Sequence, residues 1–273
     1  MEEQGPPADL VQHLSDTLPR HTIMDLLGIE RAEWPRMQQS VQQLLVVDPD
    51  NKQAAASAKA DLIAYFTKIV EQRRDSPGCD LISAMAAARE GQEQLDDKEL
   101  AVMALTLTLS GQDTATCQIS DIAYLLLTRP RLMRHLKDRP EDLNDVLNEM
   151  LRAIPFRKGV GIPRVALEDV ELDGAHIRAG DFVHVSYLTA NRDPETYDDP
   201  DLIDPERPSA PHMTFGWGGH RCIAVPLAMA ELEVAIGHLV RRFPELRLAV
   251  RPEEIRWDTG TIRRFPLELP VTW

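Results

Sequence analysis

A chain of 273 residues, 43% of them hydrophobic, can bury a substantial core. Its formal net charge of −14 excludes nucleic acid as the main partner, since phosphate binding needs a basic surface. No segment reaches the roughly 18 uninterrupted apolar residues of a membrane span; the nearest, LAVMALTLTLSG, is broken by threonines and ends in Ser-Gly. The acidic opening, MEEQGPPADL, carries no apolar run of a secretion signal or anchor, so a cytoplasmic setting is the expectation. The three cysteines, Cys79, Cys117 and Cys222, lie far apart and form neither a disulfide framework nor a CxxC zinc motif.

In chain order, residues 9–29 carry apolar positions at helical spacing, with a break expected near Pro19. A second helix is expected over 34–47, a turn at DPDN, and a third helix over 53–74. Asp96 can cap a helix and Glu99 follows three residues later, the arrangement of a capping box; no proline intervenes before Pro130. That predicts a helix of about 33 residues, on the order of 50 Å long, apolar enough around its circumference to run through the protein centre. After Pro155 the pattern alternates apolar and polar residues, with Asp173-Gly174 at a natural hairpin turn. A loop rich in Asp and Pro, NRDPETYDDPDLIDPERPSAPH, is too long for a mere connector. A last helix over 222–242 and short terminal strands complete a mainly α (α+β) chain with a small β-sheet. It reads as one domain, helical over about 8–155 and mixed over 156–273.

The stretch TFGWGGHRCIAVPLA sets one cysteine beside Gly216, Gly218 and Gly219, just ahead of the last helix. Glycines let a flat object approach the main chain closely. A cysteine in the first turn of a helix, where Cys222 is expected, is favoured as a thiolate. An isolated cysteine after such a turn is ordinarily structural; if this one binds a metal, a single axial ligand suits heme iron better than an iron–sulfur cluster.

FGWGGHRCIA resembles the heme-ligand loop of the cytochrome P450 family, Phe-x-x-Gly-x-x-x-Cys-x-Gly. Phe215, Gly218 and Cys222 match, and Ala224 stands where the family has glycine. In the long helix, SGQDTAT resembles the oxygen-activation motif; there the resemblance implies that Gly111 opens the helix groove over the iron and that Asp113 and Thr114 relay protons. Read alone, such a pair merely hydrogen-bonds locally and bends the helix. NEMLR and PER supply Glu149, Arg152 and Arg207, which in the family form a structural network behind the heme; read alone, Glu149 and Arg152 would be a surface pair worth under about 1 kcal/mol. Arg164 and His220 match positions that contact the heme propionates. ANRDP and HMTFG are further landmarks of the family. The implied fold is P450-like, helical around a long central helix. The implied cofactor is heme b with Cys222 as axial ligand. The implied function is a monooxygenase acting on a small organic or natural-product substrate with a ferredoxin-type redox donor.

The resemblance runs from about Asp9 to the end and corresponds to the later part of the family's usual chain. The first strands, several N-terminal helices and a segment that lids the substrate pocket have no counterpart, and Met229 replaces a frequently basic residue. Lost cleft walls would weaken heme binding by several kcal/mol at about 25 cal/mol per Å². Uncovered apolar faces would call for a protein partner, self-association or rearranged packing. Two other readings follow: a heme-poor, non-catalytic P450-like helper, for example of a glycosyltransferase, and a heme-free enzyme that reuses the pocket. FRKGVGIP, residues 156–163, is the stretch expected to face substrate.

Overall fold

The computed structural model describes residues 1–273 except 4, 47, 89–93, 156–162, 209–210 and 262, and omits the side chain of residue 49. Its axis is the long helix expected from the capping signals: α5 spans Asp97–Thr128, 32 residues. Asp96 Oδ1 accepts from Glu99 N at 2.8 Å, and Glu99 Oε2 accepts from Asp96 N at 2.9 Å, so both members of the capping box form. The helix stops at Pro130, which disfavours a helical residue before it and opens α6, Pro130–Asp138.

Before α5 come α1 (Thr17–Leu27), α2 (Trp34–Leu45), α3 (Lys52–Asp75) and α4 (Leu81–Ala87). After α6 come α7 (Leu143–Ala153), the four-residue α8 (Tyr187–Ala190) and α9 (Val225–Arg242). The N-terminal half of α5 buries Leu100, Ala101, Ala104 and Leu105 against α1 to α4. Its C-terminal half buries Ile119, Ile122 and Leu126 against α6, α7 and α9. Cys117 and Ala123, on a third side, meet the terminal segments through Leu10, Phe265, Leu269 and Val271. One helix therefore joins three apolar clusters, which places it at the centre as the sequence implies. At Gly111 the approach of α1 is so close that a Cβ would stand 2.7 Å from Ile23 Cδ1, giving the glycine a packing reason of its own.

Several boundaries differ from the sequence expectation. Residues 9–29 do not form a helix broken near Pro19. A π-helical turn, Val11–Ser15, precedes α1, and Pro19 sits in the first turn of α1, where its missing N–H costs nothing. The last helix begins at Val225 rather than 222, because Pro226 belongs in a first turn. The single small sheet becomes three among the described residues. β1 (Ala8–Asp9), β7 (Pro270–Thr272) and β6 (Arg247–Leu248) form an antiparallel sheet in the order β1-β7-β6, joining the two ends of the chain. β2 (Pro163–Val165) pairs with β5 (Phe182–His184). Between them lies the expected hairpin, β3 (Val170–Leu172) and β4 (Ala175–Ile177). Asp173 and Gly174 carry it round with φ of 49° and 79°, the left-handed pair of a tight hairpin turn. The alternation in this region does not bury one face: Leu172 and Phe182 are exposed.

Candidate functional site

Glu149 and Arg152 lie one turn apart near the end of α7, and that spacing brings them face to face. The pair is buried, not on the surface. Arg152 Nε donates to Glu149 Oε2 at 2.7 Å and Nη2 donates to Oε1 at 2.8 Å. Arg152 also donates to the carbonyls of Asn191, Pro200 and Leu202, and stacks on Tyr197 at 4.9 Å. Arg207 Nε donates to Glu149 Oε1 at 3.0 Å and binds the carbonyls of Asp198, Asp199 and Leu202. Burial opposes the charge on Glu149, but hydrogen bonds from Arg152, the Asp204 N–H and Arg207 outweigh it and hold the carboxyl below its ordinary value. The two guanidinium groups thus pin the long Asp/Pro loop onto α7 by its carbonyls.

The same loop is tied to the cysteine stretch. Asn191 Oδ1 accepts from Met213 N at 2.6 Å, and its Nδ2 donates to Thr214 Oγ1 at 3.0 Å. Thr214 Oγ1 in turn donates to the Leu151 carbonyl at 2.8 Å. ANRDP and HMTFG, noted as motifs, therefore meet through Asn191, Met213 and Thr214, whose connecting role the sequence did not disclose. His212 adds to this joint: Nδ1 accepts from Thr214 N at 3.3 Å, which leaves Nε2 to donate to Asn148 Oδ1 at 3.2 Å. Burial, then Arg152 and Arg221 nearby, push its pKa down to about 4. Since the folded value lies below the unfolded one, this stability is full above about pH 6.5 and is lost as pH falls toward about 4. Moving from pH 7 to 5 should therefore cost the wild type on the order of 1–2 kcal/mol through this histidine, at 1.36 kcal/mol per unit. His212→Gln should flatten that stretch of a urea-midpoint-versus-pH curve; an unchanged slope would refute the assignment.

Beyond Thr214 the chain makes a short turn, Met213–Phe215, then Gly216 and Gly218 at φ of 72° and 70°, a region closed to most residues. Phe215 packs beside the cluster of α5, α7 and α9, and its carbonyl accepts from Cys222 N at 2.8 Å, closing an eight-residue loop, 215–222. Cys222 precedes α9 by three residues, so it lies just before the helix and not in its first turn as the sequence implies. Ala224 is the N-cap residue. A Cβ on Gly218 or Gly219 would meet nothing within 4 Å, and Trp217 and Ile223 beside the cysteine are 68% and 82% exposed. A soft thiol, a backbone stripped of side chains and flanking apolar area fit a flat metal-bearing macrocycle. Two groups suited to its carboxylates, Arg164 in β2 and His220 at the end of the Gly218–His220 turn, are both exposed on separate elements.

On α5, Thr114 Oγ1 donates to the Ser110 carbonyl at 2.8 Å, the local bond available to any helical threonine. Asp113 is buried beside it and is ion-paired with Arg263, a partner the sequence did not single out. The stretch expected to face substrate lies, apart from Pro163, outside the described residues.

No helix among the described residues is long and apolar enough to cross a membrane. The family model for Cytochrome P450 matches residues 141–256, the span holding the Glu149 network and the cysteine loop. Nocardicin C N-oxygenase of Nocardia uniformis subsp. tsuyamanensis is 40% identical over 273 residues, all of this chain and 68% of that protein. Mycinamicin IV hydroxylase/epoxidase of Micromonospora griseorubida is also 40% identical, over 100% of this chain and 69% of its own length. The crystal structure of cytochrome P450mel 107F1 with biaryl coupling reactivity superposes with a TM-score of 0.97 at 56% identity, covering 100% of this chain and 69% of the other. The chain thus spans about two thirds of the length of these relatives.

Proposed function

The chain belongs to the cytochrome P450 family of monooxygenases, and on that premise we propose that it is a heme-thiolate oxygenase of small natural-product-type molecules, supplied with electrons by a ferredoxin-type donor. The observation that carries the reading is the cysteine loop itself: an exposed Cys222 thiol on a glycine backbone, tied to α7 through Phe215, Thr214 and Asn191. A bound heme b with a thiolate ligand would supply dioxygen activation. Cys222 would be that ligand; Phe215, Gly218 and Ala224 shape its loop, and Arg164 and His220 would hold the propionates. Glu149, Arg152 and Arg207 keep the long loop on α7 and so hold the ligand in place.

Asp113 and Thr114 would hold and pass protons on α5. Thr114 gives its own proton to the Ser110 carbonyl, which leaves its oxygen lone pairs to accept from an arriving water. Gly111, one turn earlier, completes the motif. Among substrates, aromatic compounds are the first class to test, because the 56% identical P450mel 107F1 is described with biaryl coupling reactivity. Exposed Leu167, Leu172 and Phe182 mark the hairpin region as a face for a protein partner or a second copy. The helper-protein alternative is not favoured, since ligand and proton-relay residues are all retained and the similar proteins are named as oxygenases and hydroxylases.

The test is an absorption spectrum of the purified chain with added hemin, reduced and exposed to carbon monoxide. A Soret band at the thiolate-ligated position is the expected result. A band typical of a neutral ligand, or no stoichiometric heme, would overturn the proposal.

A further inference from the structure

We infer that Asp121 makes the seam between α5 and the C-terminal segment a proton-sensitive contact, closed while its carboxyl carries a proton and opened when that proton leaves.

The basis is a carboxyl group with nothing to hold its charge. Asp121 is 2% exposed, and neither Oδ1 nor Oδ2 has a hydrogen-bond partner. Buried polar atoms are nearly always paired, so a carboxyl with both oxygens orphaned calls for an explanation. Cys117, four residues earlier on the same side of α5, belongs to the apolar cluster with Leu10, Phe265 and Leu269. A carboxylate in such surroundings loses its hydration and gains no partner in return, so the group keeps its proton instead. Burial accordingly pushes the Asp121 pKa well above the ordinary carboxylate value, and Arg264 opposes the rise only in part. Other titratable or charged groups stand on the elements that pack here. They are His13 in the turn before α1, Arg242 at the end of α9, Arg247 on β6, Asp258 and Arg263 in the C-terminal segment, and Asp113 and Cys117 on α5 itself. None of these acts appreciably on Asp121, which leaves Arg264 as its one cation among the described residues.

Arg264 is engaged elsewhere. Its guanidinium carbon lies 4.2 Å from the centre of the Trp257 ring, and that indole packs edge-on at 5.0 Å against Tyr124, one turn beyond Asp121. Arg264, Trp257 and Tyr124 thus close the seam beside a neutral acid. When Asp121 releases its proton to solvent, the new charge has only this guanidinium to turn to. Arg264 leaves the indole for the carboxylate, and water enters the seam it uncovers. Arg264 keeps its own charge throughout. Because the fold favours the protonated form, this part of its stability is full below the ordinary carboxylate value of about 4. It is lost as pH rises toward the raised folded value.

Three measurements test this. In wild-type chain carrying aspartate labelled with carbon-13 at the side-chain carboxyl, one resonance should stand at the protonated position at about pH 6, two units above the ordinary value. It should vanish in Asp121→Asn; no such resonance in the wild type would overturn the neutral acid. Urea titrations of the two chains follow, and their ratio cancels the His212 and Glu149 contributions common to both. The folding equilibrium constant of Asp121→Asn relative to wild type should grow by up to about tenfold per pH unit. A flat ratio would count equally against the idea. Asp121→Leu, which cannot titrate either, gives the same curve should the amide prevent folding. Amide hydrogen exchange reads the opening itself. As pH rises through the Asp121 transition, exchange in residues 117–124 should exceed its intrinsic pH dependence by about tenfold in wild type and not in Asp121→Asn. Arg264→Gln, which removes the cation, should move the transition to higher pH. An Asp121 that titrates without excess exchange overturns the switch.

Discussion

Arg152→Ala is expected to leave the chain largely unfolded at 25 °C. The side chain makes five hydrogen bonds in a site where it is 2% exposed: two to Glu149 and three to the carbonyls of Asn191, Pro200 and Leu202. Alanine strips all five and leaves Glu149 with Arg207 and the Asp204 N–H alone. Breaking a buried ion pair from one side costs about 3–5 kcal/mol, and each of the carbonyls it bares, those of Asn191 and Pro200, adds about 1–3, while the Leu202 carbonyl keeps its bond from Arg207. Set against the roughly 5–15 kcal/mol that stabilises a typical domain, that is most of the margin. Arg152→Lys should rescue little, because one ammonium cannot reach acceptors spread around a planar fork. The same network sets an acid limit. The Glu149 pKa is lowered in the folded state, so its contribution is present above the ordinary carboxylate range and is lost as pH falls through the lowered value. An unfolding free energy from urea titration of Arg152→Ala within about 0.5 kcal/mol of wild type would show the network to be dispensable.

Cys222→Ser should have the opposite profile: complete loss of the thiolate-type carbon monoxide spectrum with an unchanged unfolding midpoint. Serine keeps the backbone N–H that closes the loop on the Phe215 carbonyl, and the side chain it replaces is exposed, so stability should move by less than about 0.5 kcal/mol. What disappears is the soft sulfur donor, which a hydroxyl does not replace. Cys117 cannot substitute for it, because it is buried in the C-terminal cluster. A variant that retains the spectrum would remove Cys222 from the ligand position. A variant that loses spectrum and fold together would make the cysteine structural.

The parts of this molecule legible in advance were those decided within a few residues. α5 announced its start through Asp96 and Glu99 and its end through Pro130, because capping and proline sterics act over one turn. Asp173-Gly174 announced a hairpin because only certain residues tolerate two consecutive left-handed conformations. Glu149 and Arg152 could be placed on one helix face by spacing alone. Local signals conflict where two are available: Pro19 reads as a break although a first turn accepts it, and Cys222 reads as the start of the last helix although Pro226 marks its first turn.

Taken by itself, the amino-acid order determined the long helix, the glycine loop around Cys222, the Asp113-Thr114 pair and the three members of the Glu149 network, since each is written as a short spacing. Only the tertiary structure decided what those residues meet. Arg263 reaches Asp113 across 150 residues, Asn191 and Thr214 join two separate motifs, and Ile23 fills the space beside Gly111. It also decided that Glu149 and Arg152 are buried, and so that this pair of charges is structural. The reason is physical: propensities and caps act along a few bonds, whereas desolvation and charge pairing depend on which distant segments close over a group, and no local spacing encodes that closure.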